Sequence, residues 1–202
     1  MFGMFTRAPV KLTIGSLDDP NLAVEADYNP KEITLSRTVP WSTKNNVGGN
    51  ALDPEFTGSQ PRSLDLELFF DSYETGQSLQ GIVVQLEAMA TPTDSTTTDE
   101  RKRRPHYCLV TWGQGDRAAF RPLKCVIESV TTKITMFARD GAPLRFVANV
   151  KVREAKLSND AHYDAAVAKQ LATLASNAAR RASGDDCSEA EWRRRQLANE
   201  LE

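Results

Sequence analysis

The sequence predicts a mainly β protein of the α+β class, an antiparallel sandwich or barrel with one internal helix and a helical tail. Three observations carry that expectation. Apolar and polar residues alternate in several short runs bounded by turn residues, the pattern of strands with one buried face. Only one stretch in the first three quarters of the chain recurs at helical spacing. The last fifth is Ala-rich and helical in period throughout.

Taken in order, Val10, Leu12 and Ile14 alternate with Lys11 and Thr13, which predicts a first strand. Ser16 to Pro20 reads as a turn. Leu22 to Tyr28 reads as a second strand, stopped by Asn29-Pro30, and Ile33 and Leu35 mark a third. From Pro40 to Pro61 the chain is rich in Asn, Gly, Thr and Pro and reads as one long loop. Leu64, Leu66, Leu68 and Phe70 then alternate with Ser63, Asp65, Glu67 and Phe69, the clearest strand so far.

Leu79, Ile82, Val83, Leu86 and Met89 recur at helical spacing and predict an amphipathic helix over Thr75–Ala90, with Thr75 as its cap. Thr91 to Pro105 is low in apolar residues and reads as a surface loop. Tyr107 to Trp112 is a strand of mixed faces. Along Lys124–Phe137, Val130, Thr132, Ile134 and Met136 share one phase, whereas Cys125 and Ile127 share the other. A single strand can hold both only with a bulge near Glu128. Arg139-Asp140-Gly141-Ala142 carries the Asp-Gly hairpin signal, and Leu144, Phe146, Ala148, Val150 and Val152 return. The lone helix is expected to plug an end or cover an edge of the sheet.

Composition narrows the function classes. The chain has 202 residues, 40% of them apolar and 26% charged, enough for a true core. A net charge of −2 lacks the broad basic footprint of a general nucleic-acid binder. The basic run Arg101-Lys102-Arg103-Arg104 reads first as a solvated loop, then as a contact to an acidic neighbouring subunit, and least as a nucleic-acid contact. No apolar run approaches a membrane span, and the first residues lack the pattern of a signal peptide. The odd trio Cys108, Cys125 and Cys187 is a poor disulfide framework and fits a reducing cytoplasm.

Reactive chemistry is sparse. The two histidines, His106 and His162, lie in unrelated contexts. His106 precedes Tyr107-Cys108, but that spacing is a poor Cys-His pair, and Cys108 and Cys125 read as small buried hydrophobes. Gly113-Gln114-Gly115 lacks the third glycine and the Lys-Ser/Thr of a phosphate loop and reads as a turn. Asp65 and Glu67 fall on the outer phase of their strand. The sequence therefore offers no catalytic, cofactor-binding or metal-binding set, and the chain is expected not to be an enzyme.

Three blocks carry a resemblance. Phe56-Thr57-Gly58-Ser59-Gln60-Pro61-Arg62-Ser63 runs into Leu64-Asp65-Leu66-Glu67-Leu68-Phe69-Phe70-Asp71-Ser72-Tyr73. Leu109-Val110-Thr111-Trp112-Gly113 follows, and then Thr135-Met136-Phe137-Ala138-Arg139-Asp140-Gly141-Ala142-Pro143-Leu144-Arg145 with Val147-Ala148-Asn149-Val150. In this order and spacing, over roughly residues 8 to 155, the chain resembles contractile injection system tube proteins. The resemblance implies a phage tail-tube-like, two-sheet β-barrel with one flanking helix. It also implies a homo-hexameric ring stacked coaxially with others, and an adaptor role between the inner tube and the spike hub of the baseplate. Partners would be inner tube subunits, the spike or hub protein and baseplate subunits, without nucleic acid, cofactor or direct membrane insertion. Such a chain is expected in the cytoplasm, assembled into a particle that is released or membrane-anchored.

The tail sets the domain expectation: residues 1–156 form the tube-like domain and residues 157–202 a helical appendage. Tyr163, Val167, Leu171, Leu174 and Ala178 form a seam, with Asp160 as cap and Arg180-Arg181 near the helix end. A second helix is expected over Ser188–Leu201, with Trp192 and Leu197. Adaptor members of the family often end in a LysM module, and this tail resembles a degenerate or incomplete LysM helix pair. An unrelated helical appendage is the other reading. Two functional alternatives stay open: a repeated shaft subunit of the inner tube, and a soluble ligand-binding barrel using Trp41, Trp112 and nearby aromatics.

Overall fold

The computed structural model describes residues 10–44, 53–92, 96, 98–99, 103–113, 118–156 and 160–182. Their strands are β1 (Thr13–Ser16), β2 (Ala23–Glu25), β3 (Ile33–Ser36), β4 (Trp41–Lys44), β5 (Asp53–Phe56), β6 (Ser63–Asp71), β7 (Tyr107–Thr111), β8 (Leu123–Phe137) and β9 (Pro143–Glu154). Helix α1 spans Gln80–Ala90 and α2 spans Asp160–Ala182. Seven strands form one sheet in the order β2-β1-β7-β8-β9-β6-β3, while β4 and β5 form a separate ribbon. Every pairing is antiparallel.

The alternation read from the sequence sets the faces. Leu64, Leu66, Leu68 and Phe70 of β6 are buried beside Phe146, Ala148, Val150 and Val152 of β9, with Leu66 opposite Val150 and Phe70 opposite Phe146. The Phe70 and Phe146 rings stack at 4.6 Å. Asp65 and Glu67 face solvent, as their phase requires. The two phases of β8 are reconciled by an irregularity between Ile127 and Ser129. The extra residue, Glu128, lets Cys125 and Ile127 before it, and Val130 and Ile134 after it, reach one core. At the hairpin tip, Ala138 N–H donates to Ala142 O at 2.8 Å, and Gly141 takes φ +86°, a conformation that favours glycine.

Helix α1 packs Val83, Leu86 and Met89 into this core. Burial of that kind stabilises by roughly 1.5–3 kcal/mol per side chain. The helix starts at Gln80, five residues after the expected Thr75 cap. Gly76, at φ +66°, closes a turn by donating to Ser72 O at 2.8 Å, and Thr75 Oγ1 donates to the same carbonyl. Leu79 N–H donates to Pro143 O, which ties the helix start to β9, and Ser78 Oγ accepts from Gln80 N–H.

The expected closed two-sheet barrel is replaced by one open sheet whose edge strands, β2 and β3, are consecutive in sequence. The reason lies at residues 26–32. The expected strand over Leu22–Tyr28 keeps only Ala23–Glu25. Beyond it the chain leaves β1, and Tyr28 forms a single bridge to Phe69 of β6. Pro30 has no N–H to carry a ladder onward. Asn29 instead turns its side chain back to β1, accepting from Leu12 N–H and donating to Val10 O, each at 2.9 Å.

The long loop expected over Pro40–Pro61 contains the β4–β5 ribbon, in register Trp41↔Phe56 to Lys44↔Asp53. The ribbon prolongs the β3–β6 pairing through bonds from Gln60 N–H to Thr38 O and from Thr57 N–H to Pro40 O. Together β3–β4 and β5–β6 make a hairpin arm that extends from the sheet edge.

Helix α2 packs on the opposite face of β1 and β7 from α1. Leu17, Leu109 and Tyr163 form a second, smaller core with Tyr107, Ala166 and Val167 around it. All four residues of β1, and Cys108–Thr111 of β7, are thereby buried. The contact passes through Tyr163, Ala166, Val167 and Gln170, not along the full expected seam: Leu171 is exposed. The side chains of Leu174 and Ala178, the Asp160 cap and the helix expected over Ser188–Leu201 lie outside the described residues.

Candidate assembly surfaces

Two features of the sheet are built for contact. On one side, β3 is an edge strand whose outer backbone meets no strand among the described residues, and it leads into the arm. On the other side, β7 pairs only with Leu123–Val126 of β8, so β8 runs on to Phe137 with β9 as its sole strand partner among the described residues. The long stretch of β8 without a second strand partner invites strand addition unless something prevents it, and β3, four residues long, is a shorter template that the arm prolongs.

The arm displays apolar side chains with no core of their own. Trp41 is 60% exposed and Phe56 57%, and their rings meet edge to face at 5.6 Å. Leu35 and Val39 of the same arm are also exposed. A cluster of large exposed apolar groups rimmed by polar residues marks a contact surface. Trp112, by contrast, packs against the main core, so the two tryptophans proposed for a ligand pocket sit on separate elements. The groove of about 350 Å³ on the outer sheet face is polar, lined by Asp65, Glu67, Thr131, Asn149 and Lys151 among others.

The base of the arm is fastened by Glu154. Its carboxylate accepts from Arg62 N–H, Nε and Nη2 at 2.8–3.1 Å and from Arg37 Nη2 at 3.2 Å. The hydrogen bonds from Arg62 pull its pKa down from 4.5 to about 2, against a smaller opposing effect of burial. Ser36 Oγ and Ser63 Oγ meet at 2.7 Å one step away.

Of the basic run, Arg104 departs from the expected solvated loop. Arg101 and Lys102 lie outside the described residues, Arg103 is exposed, and Arg104 turns inward. Its guanidinium grips the Asp18 carboxylate at 2.8 and 3.1 Å, donates to Tyr163 Oη at 3.0 Å and lies 3.7 Å from the Tyr107 ring centroid. Burial opposes ionisation of Asp18, but the bonds from Arg104 and from Tyr107 N–H outweigh it and leave the pKa lowered. Arg104 thus joins the β1–β2 turn, β7 and α2 within one chain and is not free to meet an acidic neighbour.

One polar pair was invisible in the sequence because 90 residues separate its members: Ser16 Oγ lies 2.8 Å from His106 Nδ1. Ser16 Oγ also accepts from Asp18 N–H and Asp19 N–H, which fixes its place in the β1–β2 turn. With Ser16 2% exposed and His106 9%, the pair is buried and fixes a turn. Cys108 and Cys125 are fully buried free thiols, directly opposite across β7 and β8. Burial pushes Cys108 up to about 12 and Cys125 well above its ordinary value, so neither is a nucleophile at neutral pH. Among the described residues no group of three or more His, Cys, Asp or Glu could hold a metal ion, and no helix is long and apolar enough to cross a membrane.

An open antiparallel sheet with edge strands unpaired among the described residues, and an exposed apolar arm beside one of them, has the architecture of an assembly subunit. Residues 9–162 match the family model described as contractile injection system tube protein, and the chain belongs to that family. It is a structural component of a contractile injection system by that membership. A comparison with curated protein sequences finds no match.

Proposed function

We propose that the chain forms a six-membered ring that joins the inner tube to the spike hub within the baseplate. The observation that carries this reading is the pair of unpaired edges on opposite sides of one sheet, β3 with its arm and β8 beyond Val126. A closed ring needs a heterologous interface, in which one surface of each copy meets a different surface of the next. Edge β8 of one copy and edge β3 of its neighbour meet that requirement and would continue the sheet from subunit to subunit. The arm, with Trp41 and Phe56, would then reach the neighbouring copy or the next ring.

Residues 1–156 act in this reading as the ring-forming domain and residues 157–202 as the appendage that marks an adaptor. A helical tail docked on the outer sheet face, whether LysM-derived or unrelated, suits a terminal ring that clamps a baseplate neighbour. A repeated shaft ring has little room for it. Electron microscopy of particles from a strain lacking this chain tests the reading. Missing particles, or tubes and sheaths detached from a baseplate, support it; intact particles of normal length overturn it. Copy number separates the alternatives: about one ring per particle for an adaptor, many for a shaft subunit.

A further inference from the structure

We infer that Asn29 is an edge cap that decides which side of the sheet a neighbouring copy can join. The inference rests on the ring reading for its consequence but on separate atoms for its evidence. Along the outer edge of β1, Ser16 N–H donates to Leu22 O and Ala26 N–H donates to Leu12 O, so β2 and its flank serve residues 12–16. Past Ala26 the chain departs toward Phe69, which leaves Val10 O and Leu12 N–H without a strand partner among the described residues. Those two groups face the same way, one residue apart on either side of Lys11, the template that an incoming strand reads.

The Asn29 amide occupies that template. Its Oδ1 takes the Leu12 N–H and its Nδ2 gives to Val10 O, both at 2.9 Å, so one side chain supplies the donor and the acceptor that a neighbouring strand would bring. Pro30 follows and adds no N–H of its own, and Lys11 Nζ bonds to Asp27 O across the same edge. The rest of that side is β2, only three residues long, and short edge strands are poor templates. The β1–β2 side is therefore closed to a strand of a second copy, while β3 and the part of β8 beyond Val126, against which α1 packs, carry no such cap among the described residues. Closing one side makes association directional, and a head-to-tail contact between unlike edges needs direction to close into a ring.

The test uses the full chain with Asn29→Ala and Asn29→Asp, compared with wild type by circular dichroism, light scattering and electron microscopy over a concentration series. The aspartate can still accept from Leu12 N–H but cannot donate to Val10 O, and it keeps the side-chain volume in case the alanine variant fails to fold. At matched folded fraction, both variants are expected to shift several-fold from discrete rings to open-ended or sedimenting material. In that material the Leu12 amide is expected to be protected from hydrogen exchange by another chain. Normal rings from a folded variant, or aggregates in which Leu12 exchanges freely, overturn the inference. Should wild type itself form no ring, the ring reading fails, and the variants still report on the edge cap through new Leu12-protected aggregates.

Discussion

Gln170 of α2 occupies the space that a β-carbon on Gly15 of β1 would need: such an atom would lie 1.9 Å from Gln170 Nε2. The glycine lets the amide reach across the strand and donate to Ser16 O at 3.1 Å. Gly15→Ala should push the flexible end of Gln170 aside and break that bond, a loss of about 1 kcal/mol. The reduced freedom of the unfolded chain offsets part of it, about 0.4–1 kcal/mol. Global stability should therefore change little, while amides of α2 exchange faster because the helix has lost a tether. In a Gln170→Ala background the same substitution should have no further effect on α2 exchange, which a double-mutant cycle read by hydrogen exchange checks.

The stacked Phe70–Phe146 pair sits one rung from the Asp71↔Arg145 end of the β6–β9 ladder, with both side chains fully buried. Phe70→Ala should cost about 3–5 kcal/mol, because the packed strands around it cannot collapse into the void. Phe70→Leu should cost less, since most of the volume stays filled. Urea unfolding of the two variants checks both the size and the order. An alanine variant within about 1 kcal/mol of wild type would mean that the sheet relaxes around the gap.

Much of this core was legible in the sequence because burial there follows a strict period. β6 and β9 announce themselves by alternation, and even the Glu128 bulge could be read, since Cys125 and Val130 cannot share a face without it. The β4–β5 ribbon was not legible. Trp41 and Thr43 of β4, and Pro54, Glu55 and Phe56 of β5, are all exposed, so no burial period records these strands. The roles of Arg104 and Asn29 were hidden for another reason. Each depends on a partner far along the chain, 86 residues away for Asp18 and 17 for Leu12, and local pattern carries no trace of such pairs. The open form of the sheet was likewise set by where Pro30 and Asn29 turn the chain, not by the strand count.

Glu154 gives the fold a defined acid sensitivity. Its pKa falls from 4.5 to about 2 on folding, through the hydrogen bonds from Arg62, so it contributes stability above its unfolded pKa. That contribution should fade as pH drops through the window between the two values and be gone below it. A shift of this size corresponds to roughly 3 kcal/mol before screening. The carboxylate is 27% exposed and Arg37 49%, so about 1–2 kcal/mol is the expected effect. Glu154→Gln should be less stable than wild type by that amount near neutral pH, and the difference should shrink on acidification. Parallel urea titrations across the acid range check it; a gap independent of pH would assign the loss to packing rather than to the charge.

Trp41 and Phe56 allow assembly to be separated from folding. They project from the arm and touch each other, while the core clusters form without them. Trp41→Ala should therefore lower the stability of the single chain by no more than about 1 kcal/mol, the worth of an exposed aromatic pair. If the arm docks on a neighbouring copy or the next ring, the same change removes a large aromatic anchor, the kind of residue whose loss costs about 2 kcal/mol or more at an interface. A loss of that size at each of several repeated contacts would deplete assembled material while leaving a folded chain in solution. Light scattering and electron microscopy of Trp41→Ala and of the double variant Trp41→Ala/Phe56→Ala should show folded but unassembled protein. If both variants assemble as wild type does, the arm is not the joint, and contact must run through the β3 and β8 backbones alone.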